Sequence, residues 1–195
     1  MNMRRLVAVC VLAVLLAGCS DQEISPKLSM PGGPMPPAYL TINDVANNQP
    51  LSFGDIVLCV DSPGTVVVTN VAIRDNQGGL HVDAFAVRPI AGLANAVGDE
   101  KQTLASIGNG FDLSRPQSIS AVCPPEDELQ TWNGGIELAV QVSRPSGDVA
   151  GGHGLDITYQ AKGLTATYSI PFGILACAAT CPTPSGWMPA GAASP

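Results

Sequence analysis

Cysteines, histidines and carboxylates are the residues here whose types and spacing could do chemistry: six Cys, two His, and the acidic runs Asp99-Glu100 and Glu126-Asp127-Glu128. Cysteines serve as disulfides, thiolate nucleophiles or metal ligands, and their spacing separates these uses. Cys177-Ala-Ala-Thr-Cys181 has three residues between its sulfurs, which is neither a thioredoxin-like nor a zinc-knuckle spacing, so a structural role is expected. Cys59, Cys123, Cys177 and Cys181 form an even set, and outside the cytoplasm an even set is read as two bridges. Three pairings are open. Cys59 with Cys123 and Cys177 with Cys181 is slightly preferred, with loop-closure stabilisation of about 4 and about 2 kcal/mol. Its rival joins Cys59 to Cys177, as adjacent first and last strands would allow, and leaves Cys123 for Cys181.

The histidines have no recognisable companions. His81 falls within a strand beside Val82 and Asp83, and His153 lies in Gly151-Gly-His-Gly154, where an exposed turn residue is expected. With Met30 and Met35 they form the set on which an alternative reading rests, an extracytoplasmic copper-handling module. Those methionines flank a Pro-Gly-Gly-Pro segment instead of sitting on a rigid element. No Ser occupies a nucleophile elbow, and the glycine-rich loop Ser146 to Gly154 lacks the Lys and following helix of a phosphate cradle. The acidic runs lack a calcium-loop pattern and are expected to face water. No catalytic residue, metal site or cofactor is assigned, and a noncatalytic protein is expected, with a small extracytoplasmic enzyme as the other alternative.

The elements that must position these residues have the period of strands. Ile136, Leu138, Val140 and Val142 alternate with Glu137, Ala139, Gln141 and Ser143, which predicts a strand with one wet face. Leu155 to Gln160 and Leu164 to Ile170 alternate likewise around a turn at Lys162-Gly163, a hairpin. Asp55 to Val60 and Thr65 to Ile73 flank the turn Asp61-Ser-Pro-Gly64. Adding Tyr39 to Ile42, Leu80 to Arg88, Ser118 to Cys123 and Phe172 to Cys177 gives seven to nine short strands, an all-β antiparallel two-sheet sandwich. From strand 135 to Cys177 the pattern resembles the closing strands of immunoglobulin-like sandwiches, although neither Trp132 nor Trp187 has the antibody-domain placement between cysteines. Pro89 to Ile107 does not fit the pattern; it reads as a short helix over Ala91 to Val97 or as a long excursion between strands, with either a functional surface or no role.

The N-terminus supplies an address. Arg4 and Arg5 precede the uncharged apolar run Leu6 to Leu16, which is shorter than the about twenty residues needed to span a bilayer, and small residues follow. Leu16-Ala17-Gly18-Cys19 resembles a bacterial lipobox, and the features before it are placed as in bacterial lipoprotein precursors. The resemblance implies cleavage between Gly18 and Cys19, a thioether-linked diacylglycerol on Cys19, and retention at the extracytoplasmic face of a bacterial membrane. Two or three acyl chains hold a protein there stably, whereas one does not.

Segments 1–18, 19–37, 38–181 and 182–195 are therefore read as signal peptide, lipid anchor with flexible tether, sandwich domain and disordered tail. Loss of Arg4 and Arg5 with the signal leaves seven basic against sixteen acidic side chains in 177 residues, a balance of −9. So acidic a chain offers no basic face to a nucleic acid. The expected function is binding or envelope interaction, with an unidentified envelope protein or ligand as partner.

Overall fold

A computed structural model describes residues 25–90, 97–98, 100–108, 110–129, 131–132 and 134–183. Eleven strands are present among them: β1 (Leu28–Ser29), β2 (Ala38–Ile42), β3 (Pro50–Val60), β4 (Val66–Arg74), β5 (His81–Pro89), β6 (Gln117–Ile119), β7 (Ile136–Ser143), β8 (Val149–Gly152), β9 (Gly154–Ala161), β10 (Leu164–Ile170) and β11 (Phe172–Cys177). One four-residue helix, α1 (Leu104–Ile107), interrupts them. A first sheet has the order β1-β3-β7-β5, a second the order β10-β9-β4-β6, and a third the order β2-β11-β8. The protein is an all-β sandwich, as the alternation implies.

The core lies between the first two sheets. Leu51, Phe53, Ile56 and Leu58 of β3 and Leu138, Val140 and Val142 of β7 share it with Val66, Val68 and Val71 of β4 and Leu155, Ile157 and Tyr159 of β9. Each fully buried aliphatic side chain stabilises by about 1.5–3 kcal/mol, so this cluster supplies most of the driving force for folding.

Several details depart from the sequence reading. The strand count exceeds seven to nine through two additions, β1 and β8, and β8 arises because one long hairpin is bent into the four strands β8 to β11. Leu164↔Ala161 to Ile170↔Leu155 runs on, shifted by one residue, as Ile174↔Gly152 to Cys177↔Val149. Pro171, which cannot donate to a ladder, and His153 lie at the bend. There a Cβ on Gly151 would approach the Ile174 carbonyl oxygen and one on Gly152 would meet Ile73, so close packing accounts for the glycine run. The sandwich is not wholly antiparallel either, since β2 pairs with β11 in parallel.

The folded unit also begins before residue 38. Pro26, Leu28 and Met30 are buried, and β1 pairs antiparallel with Val60 and Cys59. Pro26 and Pro31 flank this two-residue edge strand, where their missing N–H does no harm. Residues 25–37 are thus docked rather than a flexible tether.

A further correction concerns β7, whose supposedly wet face is covered. Glu137 and Ala139 are fully buried, and Gln141 and Ser143 are half-buried. The cover is the segment after β5. Leu104 packs with Ala86 and Ala139, and Ile107 and Phe111 pack beside them. The segment is also hydrogen-bonded down: Ser52 and Glu100 exchange backbone bonds of 2.8 Å each way, Gly54 N donates to Val97 O at 2.9 Å, and Leu104 N donates to Gln141 Oε1 at 3.0 Å. The described residues of Pro89 to Ile107 therefore form an excursion that covers part of the outer face of the first sheet. The helix expected over Ala91 to Val97 falls mainly on 91–96, outside the described residues.

Candidate functional site

The excursion covers only part of that outer face, and the uncovered part is a cleft of about 320 Å³. Four stretches distant in sequence build it. Asp55 and Val57 come from β3, Ile90 follows β5, Leu129, Trp132 and Gly135 precede β7, and Met30 and Pro31 come from the docked N-terminal segment. Gly135 is the floor, because a Cβ there would lie 2.8 Å from Val57 Cγ1 and 3.6 Å from Trp132 Cζ3. Pro31 is held by a turn closed by Gly33 N donating to Met30 O at 3.1 Å, with Gly32 in the left-handed region against Leu129. The volume is at the lower end of the range for small-molecule sites, and apolar walls with few polar groups are the usual composition of such sites.

Among the described residues, Asp55 is the only ionisable side chain in the lining. It sits in a β-bulge, where the register between β3 and β7 shifts between Phe53 and Ile56, and its φ of 62° is a left-handed conformation that Asp tolerates better than most residues. Partial desolvation, and secondarily the nearby Glu137 carboxylate, push its pKa above the usual carboxylate range. Among the described residues, no Lys or Arg forms an ion pair with Asp55.

Glu137 lies behind Asp55, under the excursion. Arg88 Nε donates to Glu137 Oε2 at 2.7 Å, and the two face each other across the β5–β7 ladder. Glu137 Oε1 accepts from Val97 N at 2.6 Å and from Asp55 N at 3.4 Å. The Arg88 guanidinium carbon lies 4.5 Å from the Phe111 ring centroid. Only glycine fits at position 54, since a Cβ there would come 2.0 Å from Glu137 Oε1. This ion pair holds the excursion and the bulge in place, with Glu137 itself outside the cleft lining.

A second, more open groove of about 500 Å³ lies between β4 and β5, with Val71, Phe85, Leu113 and Arg115 among its walls. It combines opposite charges, from Asp83 and Arg115, and shares no lining residue with the first cleft.

The residues singled out from sequence are scattered. Cys59 is bonded to Cys123 and Cys177 to Cys181, the preferred of the pairings. The first bridge ties β3 to the strand-like segment after β6, and the second closes the turn after β11, where Cys181 N donates to Asn43 Oδ1 at 2.7 Å. His81 is exposed at the start of β5. His153 is half-buried and shares a 3.0 Å hydrogen bond between its Nδ1 and the Tyr39 hydroxyl, instead of standing free in a turn. Met30 is buried in the core and Met35 packs against it. Among the described residues, no group of three or more His, Cys, Asp or Glu is placed to hold a metal ion. Glu126 to Glu128 form an exposed single turn of 3-10 helix. Leu16, Ala17, Gly18 and Cys19 lie outside the described residues, as does Trp187.

The sequence reading missed Asp55, Trp132 and Glu137 as site residues. For Glu137 there was a signal, a carboxylate in the middle of an otherwise apolar run that could be registered against Arg88. No family model matches this chain, and no curated protein matches its sequence.

Proposed function

We propose that this chain is a bacterial lipoprotein, anchored through lipid on Cys19 at the extracytoplasmic face of a membrane, whose sandwich is a noncatalytic binding domain of the cell envelope. The cleft is the observation that carries the binding part of this reading. Its walls are mostly apolar, and among the described residues its lining has one carboxylate and no Ser, Cys, His or Lys from which a nucleophile and base could be assembled. Such a lining suits holding a ligand. The lipobox supports the anchor, and two disulfides fit an oxidising compartment.

The docked N-terminus brings the domain nearer the membrane than a free tether to residue 37 would. Only the stretch from Cys19 to Ser25 separates the anchor from the fold, and fully extended it reaches at most about 20 Å. The cleft wall at Met30 and Pro31 is thus built from the segment nearest the lipid.

The test combines mass spectrometry of the N-terminal peptide with membrane fractionation and photo-crosslinking in intact cells from a probe at Val57. The expected result is a mature terminus at Cys19 carrying acyl mass, membrane retention that Cys19→Ala abolishes, and a reproducible adduct from Val57. An unmodified Cys19 in a soluble protein overturns the anchor, and the lack of any adduct overturns the binding role.

A further inference from the structure

We propose that the cleft selects a small organic cation with a compact apolar body, its ammonium group against Asp55 and its body against Trp132, Leu129 and Ile90. This inference rests on the reading of the cleft as a ligand site and names the ligand's chemistry. Charge complementarity argues for it first: among the described residues Asp55 is the sole ionisable group in the lining, and no described Lys or Arg forms an ion pair with it. The neighbouring Glu137 has its own counter-ion in Arg88, so a positive charge in the cleft would complete a pair that the fold leaves open.

Geometry argues for it next. The bulge holds the Asp55 backbone at a fixed, left-handed φ, and Glu137 accepts from its N–H, so the carboxylate is carried by a braced segment. Trp132 lines the same cleft, and an indole is the side chain that most attracts a nearby ammonium group. An anion would face both Asp55 and the buried Glu137 at its back. A calcium ion would need six to eight oxygen ligands, and the lining provides one carboxylate. The partial desolvation felt by the Asp55 carboxyl is a cost that a bound cation offsets.

Three probes of nearly equal size separate charge from shape: phenethylammonium, 2-phenylethanol and phenylacetate, titrated calorimetrically into the full-length chain in neutral sugar-headed micelles. Phenethylammonium is expected to bind at least tenfold more tightly than 2-phenylethanol, with phenylacetate weakest. Asp55→Asn, which preserves the tolerance for positive φ, brings the cation to the level of the alcohol. Trp132→Phe, chosen to keep the cleft packed, weakens the cation more than the alcohol.

If the alcohol binds as tightly as the ammonium and both respond to Trp132→Phe, cation selection is overturned while the cleft stands as a binding site. If no probe binds at low millimolar concentration, or binding ignores both substitutions, the ligand-site reading falls as well.

Discussion

The two faces of β7 are both buried, but by different means. On the inner face Leu138, Val140 and Val142 enter an aliphatic core shared by two sheets. On the outer face Glu137 pairs with Arg88 of β5 and accepts from Val97 N of the excursion, Ala139 joins a small apolar cluster with Leu104, and Gln141 accepts from Leu104 N. Apolar packing is non-directional and tolerates exchange of similar shapes, whereas a buried carboxylate fixes its neighbours through directed bonds. The difference teaches how a cleft can be kept open beside a closed core. A directed anchor at Glu137 stops the excursion where it does and braces the bulge that carries Asp55, and the remaining outer face is left as a pocket.

The largest expected effect breaks the polar side of this comparison. Glu137→Ala removes the carboxylate that accepts from the buried Arg88 and should cost about 3–5 kcal/mol in a denaturant melt. Replacing both partners with apolar residues, Glu137→Leu with Arg88→Met, should recover much of that loss. A double variant as unstable as the two single losses added together would show that the ion pair is not the unit that holds this face.

Next is Gly54→Ala. Its Cβ displaces the Glu137 carboxylate, with an expected loss of about 1–3 kcal/mol, and hydrogen exchange at the Val97 amide should speed up while amides of β9 keep their protection. Equal loss of protection on both sheets would contradict the separation of the two faces. A milder cut, Gln141→Ala, removes the acceptor of the Leu104 N–H and should cost about 1 kcal/mol, with faster exchange confined to the excursion.

The smallest effect sharpens the account of Asp55. Its carboxyl has a pKa above the usual carboxylate range in the folded protein, so the folded state holds this proton more tightly than the unfolded state. The associated stability is full at pH below the ordinary value and is lost as pH rises through the raised one. Asp55→Asn should therefore give a small rise in melting temperature at neutral pH and none at pH 3. A destabilisation at neutral pH would contradict the electrostatic assignment.

Period-two alternation made the inner faces of β7 and β9 legible in the sequence, because each buries one set of apolar residues against the opposite sheet, whereas in β10 the same alternation marked no buried face, since Leu164 and Ala166 are exposed and only Ile170 is buried. The turn Lys162-Gly163 was equally plain; both residues take positive φ there. The same pattern misled on Glu137, since a polar residue on the second face of a strand signals water unless its partner is known. Leu28 and Met30 escaped notice for a related reason, as alternating apolar residues among prolines do not look like a strand until an edge is available to pair with. Nothing local marked the cleft. Asp55, Ile90, Leu129 and Trp132 become neighbours only through the pairing of β3, β5 and β7, and the bulge that turns Asp55 outward is set by its partner strand.

The central claim is that the uncovered part of this face is where the protein takes its ligand. Amide chemical-shift mapping of the isotopically labelled full chain during titration with phenethylammonium tests it most directly. The shifts are expected at Asp55, Val57, Ile90, Leu129, Trp132 and Gly135, and in Asp55→Asn only at ligand concentrations at least tenfold higher. Shifts at Val71, Phe85 and Leu113 of the second groove, or shifts spread over the surface and unchanged in Asp55→Asn, would contradict it.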